Sequence, residues 1–422
     1  MNINKLLEGV QCECGKFHTC DIKYVYIESG AINRVGEICR DFNNVLIVAD
    51  ENTFGAAGEP TVKALEGKNI NKVIFTGKEI LVPNENAIDT VTKALGNADV
   101  IVGIGSGVIQ DLCKYVSFYN KVPYMVVATA PSMDGYASDG AAMITNGMKE
   151  TYKAGLPMAI IGDVDVLKNA PVEMIKAGYG DIIGKFSALN DWKLSHLING
   201  EYFCDYIYNV TFDQIEANLK LADGILKRDE NSIKALMEAL VVIGIMMSFA
   251  GSSRPASGSE HHFSHFFEIT GIINNEEYFS HGVDVAYSTI KTQEIREKLL
   301  SKPFATKLFR LSDEDYRKKM AEIYKSVADG CIELQNKVGN YKADRLALYL
   351  EKEAEIKAIL SEVPSSEELK KMLALVNLDM DEFYKLYTPE KLNNATLYAK
   401  DLKDRYTVLW LNYDLFGGNE NV

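Results

Sequence analysis

The chain has 422 residues, of which 47% are hydrophobic and 25% are charged, and its formal net charge is −14. This length exceeds one ordinary hydrophobic core, so two domains are expected, and the composition is typical of a soluble globular protein. The negative charge argues against nucleic acid or an anionic membrane as a partner. The longest apolar run, residues 239–250, is too short to span a bilayer, so we predict no membrane insertion and a cytoplasmic location.

The N-terminal segment lacks the basic and then apolar pattern of a signal peptide. It does contain a short cluster of possible metal ligands, Cys12, Cys14, His18 and Cys20. Such spacing occurs in structural zinc sites, but a hairpin carrying reduced thiols is the interpretation that the segment favours by itself. The seven cysteines of the chain are scattered and odd in number, which does not indicate a disulfide framework.

The first third alternates short apolar runs with amphipathic stretches. We predict strands at 23–28, 45–49, 72–76, 99–104, 124–128 and 156–162, with helices between them such as 32–43 and 87–95. Nearly continuous β-branched content is typical of strands covered on both faces. This rhythm predicts an α/β domain over residues 1–163, with a parallel, doubly wound, Rossmann-like sheet.

A glycine-rich turn, residues 102–107 (VGIGSG), follows the fourth strand and precedes a predicted helix at 108–118. Glycines let the backbone approach a diphosphate, whose charge is stabilised at a helix N-terminus. Because the spacing departs from G-x-G-x-x-G, a tight turn without a ligand remains the alternative. Asp50 ends the second strand, where an acid can hold a ribose hydroxyl, and a solvated carboxylate is equally compatible. No arginine lies nearby to bind a 2′-phosphate, which slightly favours NAD over NADP.

Residues 164–422 have the pattern of an all-α domain. Helices are predicted at 206–228, 232–250, 313–338, 365–375 and 388–411. Ser365 with Glu368 forms a capping-box signal, and Thr388 before Pro389 is a second helix start. We expect a ligand site where the α/β and helical domains meet.

Four of the six histidines fall within residues 259–282. His261 and His265 are four residues apart, so a helix places both on one face, and His281 follows closely. Two imidazoles and one carboxylate commonly bind a catalytic divalent metal. Among the 59 acids, Asp181 stands out because small residues flank it in an apolar context, although a helix cap would explain it too. A structural role is the alternative for the histidines, and His262 is expected to face away from them.

Several segments resemble one family when taken in order. They are 103–115 (GIGSGVIQDLCKY), 129–135 (TAPSMDG), 180–189 (GDIIGKFSAL), 251–265 (GSSRPASGSEHHFSH) and the pair His281-Gly282. They are similar to sn-glycerol-1-phosphate dehydrogenases, within the superfamily of glycerol dehydrogenase, iron-type alcohol dehydrogenases and dehydroquinate synthase. The resemblance covers most of residues 20–300, and the arginine-bearing segment is its most specific part. It implies a dehydroquinate synthase-like architecture.

The resemblance also assigns roles. It implies Asp181, His261 and His281 as metal ligands that, with His265, form the catalytic set, and it places Asp134, Asp181 and His265 at the substrate. The residues implied for the dinucleotide are Gly103, Gly105, Ser106, Gly107, Asp111, Thr129, Ser132, Ser138 and Lys153, to which the sequence argument adds Asp50. Arg254, with Lys185 behind it, is the predicted phosphate ligand, because a guanidinium matches phosphate oxygens in a bidentate way. The alternative for Arg254 is pairing with an acid near a helix start.

Two positions depart from the family pattern. Val283 follows His281-Gly282 where glutamate is frequent, and Gln110 stands where asparagine is usual. The first departure concerns the residues around His281, which orient a metal-binding imidazole.

The implied reaction is the reversible reduction of dihydroxyacetone phosphate to sn-glycerol 1-phosphate with NADH or NADPH, a step of phospholipid synthesis. One divalent metal per chain is expected, zinc or nickel first and iron as a further option, in a homo-oligomer of two or more chains. Three alternatives remain at this stage: oxidation of an unphosphorylated polyol as in glycerol dehydrogenase, a dehydroquinate synthase-like lyase, and a nucleotide-binding protein without catalysis.

Overall fold

The computed structural model describes residues 3–77, 81–145 and 148–417, without the side chains of 148–150. Its contacts group the chain into two units, Met1–Ile182 with Glu216–Ser253, and Ile183–Ile215 with Arg254–Val422. The domain boundary expected at residues 163 and 164 stays a prediction. By these contacts the apolar helix Glu230–Ala250, expected in the helical domain, belongs with the sheet.

The first unit contains a six-stranded parallel sheet in the order β3-β10-β7-β6-β4-β5, which confirms the doubly wound prediction. Two antiparallel hairpins, β1–β2 and β8–β9, stand apart from it. The strands are β1 Val10–Gln11, β2 Phe17–His18, β3 Tyr24–Glu28, β4 Asn44–Asp50, β5 Asn69–Phe75, β6 Val100–Gly105, β7 Tyr124–Ala128, β8 Gly140–Thr145, β9 Met148–Lys153 and β10 Ala159–Asp163.

The strand order reverses between β4 and β6. The chain passes from β4 outward to β5 at one edge and then returns, so that β6 pairs with the other side of β4. Ligands of such sheets bind outside the carboxyl ends of the strands at this reversal. Asp50 ends β4, and Gly105 ends β6. The fold therefore brings the candidate ribose-binding acid and the glycine-rich turn to one crevice.

Ten helices begin before residue 253 in the described part of the chain. They are α1 Ile3–Leu7, α2 Arg34–Ile38, α3 Glu51–Ala64, α4 Glu85–Leu95, α5 Gly107–Asn120, α6 Val164–Leu167, α7 Val172–Asn199, α8 Asp205–Leu219, α9 Ala222–Leu226 and α10 Glu230–Ala250. By length and composition alone α10 could cross a membrane, but 72% of its apolar window is buried within the protein. Helix α10 is thus a core helix, as in a soluble protein.

Helix α7 has 28 residues and was not predicted. Its central residues, 179–192, are almost all buried, so it has no polar stripe to give a helical period. Three glycines in its first half further weaken the helical signal.

The remaining helices make up most of the second unit, and the all-helical C-terminal region is confirmed. They are α11 Ser259–Asn274, α12 His281–Leu300, α13 Asp313–Tyr324, α14 Ala328–Val338, α15 Leu346–Glu351, α16 Glu353–Leu360, α17 Ser366–Ala374, α18 Met380–Leu386, α19 Pro389–Tyr398 and α20 Val408–Phe416. The capping box of Ser365 and Glu368 is present at the start of α17.

Three long helices of the prediction are interrupted. The segment 206–228 divides into α8 and α9, with a break after Leu219. The segment 313–338 breaks at Lys325, which has a φ of 43°. The segment 388–411 breaks after Tyr398, where Lys400 and Asp401 turn inward as a fully buried ion pair of 2.8 Å. The pair lies in a 3-10 turn at Ala399–Leu402, which ends the regular helix.

Candidate active site

Asp181 lies on α7, and its position depends on a close approach of backbones. A side-chain carbon at Gly178, one turn earlier, would lie 1.9 Å from the carbonyl oxygen of Pro131. Only glycine therefore lets the loop after β7 reach the helix. There the backbone N–H of Asp134 donates to Asp181 Oδ2 at 3.0 Å. The carboxylate of Asp181 is fully buried and held by this loop.

Three histidines cluster at the start of α11 and α12. His261 and His265 lie one turn apart on α11, and His281 is the first residue of α12. The ring centroid of His261 lies 5.0 Å from that of His281 and 6.1 Å from that of His265, and the other pair is 5.6 Å apart. The helical spacing predicted from sequence thus brings His261 and His265 together, and the start of α12 adds His281 to them.

The hydrogen bonds of the imidazoles determine which ring nitrogen is available for a ligand. His261 Nδ1 contacts Glu260 Oε1 at 2.6 Å, and His281 Nδ1 contacts Ser264 Oγ at 3.5 Å. A carboxylate accepts, so Nδ1 of His261 carries the proton and Nε2 keeps its lone pair. This is the tautomer that a metal ligand needs.

Asp181, His261 and His281 each offer one ligand atom, and these atoms lie within 4.8 Å of one another. Metal bonds of about 2.0–2.2 Å place neighbouring ligand atoms roughly 3–3.6 Å apart, so small side-chain shifts would let all three bind one ion. One carboxylate and two neutral imidazoles suit Zn²⁺, Ni²⁺ or Fe²⁺ and leave coordination positions open. The residues present therefore fit a catalytic divalent cation.

Glu260 is a functional candidate that sequence reasoning missed. It is fully buried, and its Oε1 also accepts from the backbone N–H of Gly258 at 2.8 Å. Burial by itself raises the pKa of Glu260, but the bonds from His261 and Gly258 outweigh it and the pKa is lowered. A charged carboxylate behind His261 increases the basicity of that imidazole. Its place directly before His261 was the only signal in the sequence.

His262 has a different environment. It is fully buried, and burial holds its pKa well below the usual value, so the ring is neutral. As expected, it is absent from the group of ligand atoms formed by Asp181, His261 and His281.

Three cations hold the segment that leads into α11. Arg254 donates from Nε to Glu201 Oε1 at 2.8 Å and from a second nitrogen to the other carboxylate oxygen, while 2% of the residue is exposed. Lys185 Nζ donates to the carbonyl of Ala256 at 3.1 Å. Arg405 donates to the carbonyl of Ser257 at 2.9 Å, and burial followed by the neighbouring Arg254 lowers its pKa to about 10.

The guanidinium of Arg254 is therefore engaged by an acid, which is the alternative weighed for it from the sequence. Lys185 lies on α7 one turn after the candidate ligand Asp181, so both side chains fall on the same face of this helix.

The glycine-rich turn lies at the end of β6, as predicted. A side-chain carbon at Gly103 would lie 2.8 Å from Cys113 of α5, and one at Gly105 would lie 2.8 Å from Ile109 of the same helix. These two glycines therefore permit β6 to pack closely on α5. A side-chain carbon at Gly107 would have its nearest neighbour at 3.9 Å, and Ser106 is the N-cap residue without a side-chain capping bond. The start of α5 thus has room in front of its backbone N–H groups.

The other residues implied for the dinucleotide divide into two groups. Thr129 and Ser132 follow β7, and the N–H of Thr129 donates to the carbonyl of Gly105 at 3.3 Å, so they lie beside the turn. Asp111 and Ser138 both contact the buried Lys114, at 3.6 and 3.2 Å.

Asp50 and Lys153 have structural environments of their own. Asp50 caps α3 by accepting from the N–H of Thr53 at 2.9 Å, which accounts for an acid there without a ligand. Lys153 is exposed at the end of β9, opposite Gly140.

Comparison with known proteins identifies the family of this chain. The family described as iron-containing alcohol dehydrogenase matches residues 26–171. A glycerol-1-phosphate dehydrogenase [NAD(P)+] from Halalkalibacterium halodurans is 35% identical over 288 residues, which cover 66% of this chain and 72% of the relative. The chain belongs to the glycerol-1-phosphate dehydrogenase family. A relative of the same name from Bacillus licheniformis is 28% identical and covers 94% of this chain and 90% of its own.

A solved structure supports the fold alone. The maleylacetate reductase from Rhizobium sp. strain MTP-10005 has a TM-score of 0.58 and 14% identity, covering 94% of this chain and 97% of that one. The match extends over the helical region beyond residue 310, so these helices are part of the shared fold.

Proposed function

We propose that this protein catalyses the reversible, NAD(P)H-dependent reduction of dihydroxyacetone phosphate to sn-glycerol 1-phosphate. The observation that carries the proposal is the convergence of Asp181, His261 and His281 in a chain whose relatives are named for this reaction. One carboxylate and two imidazoles can bind a divalent cation and leave a coordination position for a substrate oxygen.

We propose Asp181, His261 and His281 as the ligands of one divalent cation, zinc or nickel first. When bound there, the cation supplies Lewis-acid polarisation of the substrate carbonyl. Glu260 keeps Nδ1 of His261 protonated and directs Nε2 to the site. The N–H of Asp134 donates to Oδ2 of Asp181 at 3.0 Å and so fixes the orientation of this carboxylate.

His265 is the proposed proton-transfer residue. It is partly exposed, and its ring lies beside those of His261 and His281 without belonging to the ligand group. A ring nitrogen of His265 can deliver the proton that completes the product hydroxyl, directly or through water. Asp134, largely buried and adjacent to Asp181, is proposed to orient a substrate hydroxyl.

For the phosphate group we propose Lys185 ahead of Arg254. Nε and one terminal nitrogen of Arg254 donate to the carboxylate of Glu201, whereas Lys185 lies one turn after Asp181 on α7 and donates from Nζ to the neutral carbonyl of Ala256 at 3.1 Å. A buried ammonium one turn from the ligand acid offsets the charge of an anionic substrate in a protein of net charge −14.

The dinucleotide is proposed to bind at the strand-order reversal, with its diphosphate at Ser106 and Gly107 and its ribose at Asp50. It supplies or accepts the hydride. NAD is slightly favoured, because capping by Asp50 leaves a carboxylate, not a cation, at the end of β4. A homo-oligomer in the cytoplasm remains part of the proposal.

The test is a spectrophotometric assay with dihydroxyacetone phosphate and unphosphorylated dihydroxyacetone, each with NADH and NADPH, before and after chelation and after adding back zinc, nickel or iron. We expect stoichiometric NADH or NADPH oxidation, preference for the phosphorylated ketone, and loss of turnover on chelation. Chiral analysis of the product should give sn-glycerol 1-phosphate. Preference for the unphosphorylated substrate, or turnover without net cofactor consumption, would reject the proposal.

A further inference from the structure

The N-terminal hairpin presents three potential ligands from a seven-residue segment. Strands β1 and β2 pair through Val10 and His18, and the turn between them is closed by the N–H of Gly15 donating to the carbonyl of Cys12 at 3.0 Å. Gly15 has a φ of 85°, which favours glycine. The N–H of Cys14 points to the sulfur of Cys12 at 3.5 Å. N–H groups directed at sulfur stabilise a thiolate in such a turn.

A fourth side chain arrives from far along the chain. Cys204, directly before α8, is 1% exposed and joins Cys12, Cys14 and His18 in a group whose ligand atoms all lie within 4.8 Å of one another. Around a tetrahedral zinc with Zn–S bonds of about 2.3 Å, neighbouring ligand atoms lie roughly 3.5–3.8 Å apart. The measured 3.4 Å between Cys14 Sγ and His18 Nε2 is close to this spacing.

The ring of His18 is oriented as a metal ligand. Its Nδ1 lies 3.2 Å from the carbonyl oxygen of Phe249, and its ring stacks on that of Phe249 with centroids 5.4 Å apart. A carbonyl only accepts, so Nδ1 carries the proton and the lone pair on Nε2 faces the sulfur of Cys14. Metal-binding histidines are fixed by this kind of Nδ1–H bond to a carbonyl.

The sequence motif suggested Cys20 as the fourth ligand, and the structure replaces it. Cys20 is buried, burial raises the pKa of its thiol, and it does not belong to the group of ligand atoms. Cys204 lies 190 positions from Cys14, so spacing in the sequence gave no signal for it.

We propose that a structural zinc ion is bound by four side chains, Cys12, Cys14, His18 and Cys204. Three thiolates and one imidazole select zinc over the hard divalent cations, and four protein ligands leave no position for a substrate. This ion is additional to the catalytic cation, so the protein holds two metals per chain. Binding releases the thiol protons to solvent and changes no oxidation state.

The test measures metal content under reducing conditions. The full-length His281→Ala variant, purified and dialysed against a mild chelator, should keep about one zinc per chain. X-ray absorption at the zinc edge of this variant should show sulfur at about 2.3 Å and nitrogen at about 2.0–2.1 Å. Cys204→Ser in the same background should lose that zinc, whereas Cys20→Ser, a buried thiol of the same N-terminal segment, should keep it.

Two results would overturn the inference. One is a His281→Ala protein without retained zinc although it is folded by circular dichroism, with thiols that alkylate at once. The other is an absorption spectrum without sulfur neighbours. If Cys204→Ser does not fold, the zinc-edge spectrum of His281→Ala, which retains Cys204, still shows whether sulfur binds the zinc. Neither outcome touches the dehydrogenase proposal, which depends on the wild-type protein turning over substrate.

Discussion

Replacing Glu260 tests whether a buried carboxylate tunes the metal ligand His261. Glu260→Gln keeps the shape and an acceptor oxygen for the N–H of Gly258, and it removes only the charge behind His261 Nδ1. Hydrogen bonds to charged groups contribute about 1.5–3 kcal/mol against about 0.5–1.5 for neutral ones, so the loss is roughly 1–1.5 kcal/mol. This corresponds to about a tenfold weaker metal affinity. Glu260→Ala, which loses both bonds, should approach the hundredfold limit seen for such outer partners.

The assay is competition for the catalytic metal against a chromophoric chelator, with turnover followed at each metal concentration. Saturating metal should restore most of the activity of Glu260→Gln. The matched control is Glu268→Gln, two turns later on α11 and partly exposed, which should bind metal like the wild type. Equal affinities for Glu260→Gln and the control would show that the reasoning about His261 is wrong.

Four further predictions concern the site and its support. Arg254→Ala should reduce turnover of the phosphorylated and the unphosphorylated ketone by the same factor, because Arg254 pairs with Glu201. It should also lower the thermal midpoint of unfolding. A loss of turnover limited to the phosphorylated ketone contradicts this prediction. Lys185→Met should raise KM for the phosphorylated ketone by about tenfold or more, the scale of one charged hydrogen bond. KM for the other ketone should rise less, because only the bond to Ala256 is lost for that substrate. His265→Ala should lower kcat by about 10²–10⁴ with metal content unchanged, and loss of the metal would instead make it a ligand. Gly178→Ala should lower the free energy of unfolding by about 1–3 kcal/mol. Gly55→Ala, inside α3 with open space around it, should instead raise it by roughly 0.5–1 kcal/mol, because alanine favours a helix over glycine.

The sheet was predictable because its strands are buried on both faces. Short continuous apolar runs such as Tyr124–Ala128 predict buried strands. The glycine-rich turn at Gly105 predicts where β6 ends and α5 begins. The grouping of His261 with His265 followed from helical geometry. His281 and Asp181 came from the family resemblance, and the structure brings their ligand atoms together with that of His261.

The features that could not be predicted share one physical cause, because they depend on contacts between distant residues. The central part of helix α7, residues 179–192, is buried on all sides and has no amphipathic period. Pairing of Arg254 with an acid was an alternative from the sequence, but the acid itself, Glu201, lies 53 residues away and could not be identified. The predicted helix 388–411 breaks after Tyr398, where Lys400 and Asp401 form a buried ion pair. Local helix propensity does not indicate this pair. Cys204 joins the N-terminal hairpin only in three dimensions.

The single hydrogen bond from the backbone of Asp134 to Asp181 has a thermodynamic consequence. The donor belongs to the loop after β7, whose first residue bonds the carbonyl of Gly105, and the acceptor is a proposed metal ligand. Any ligand that orders this loop therefore acts on the same carboxylate as the cation. Reciprocity then requires that, if the dinucleotide tightens metal binding, the metal tightens dinucleotide binding by an identical factor.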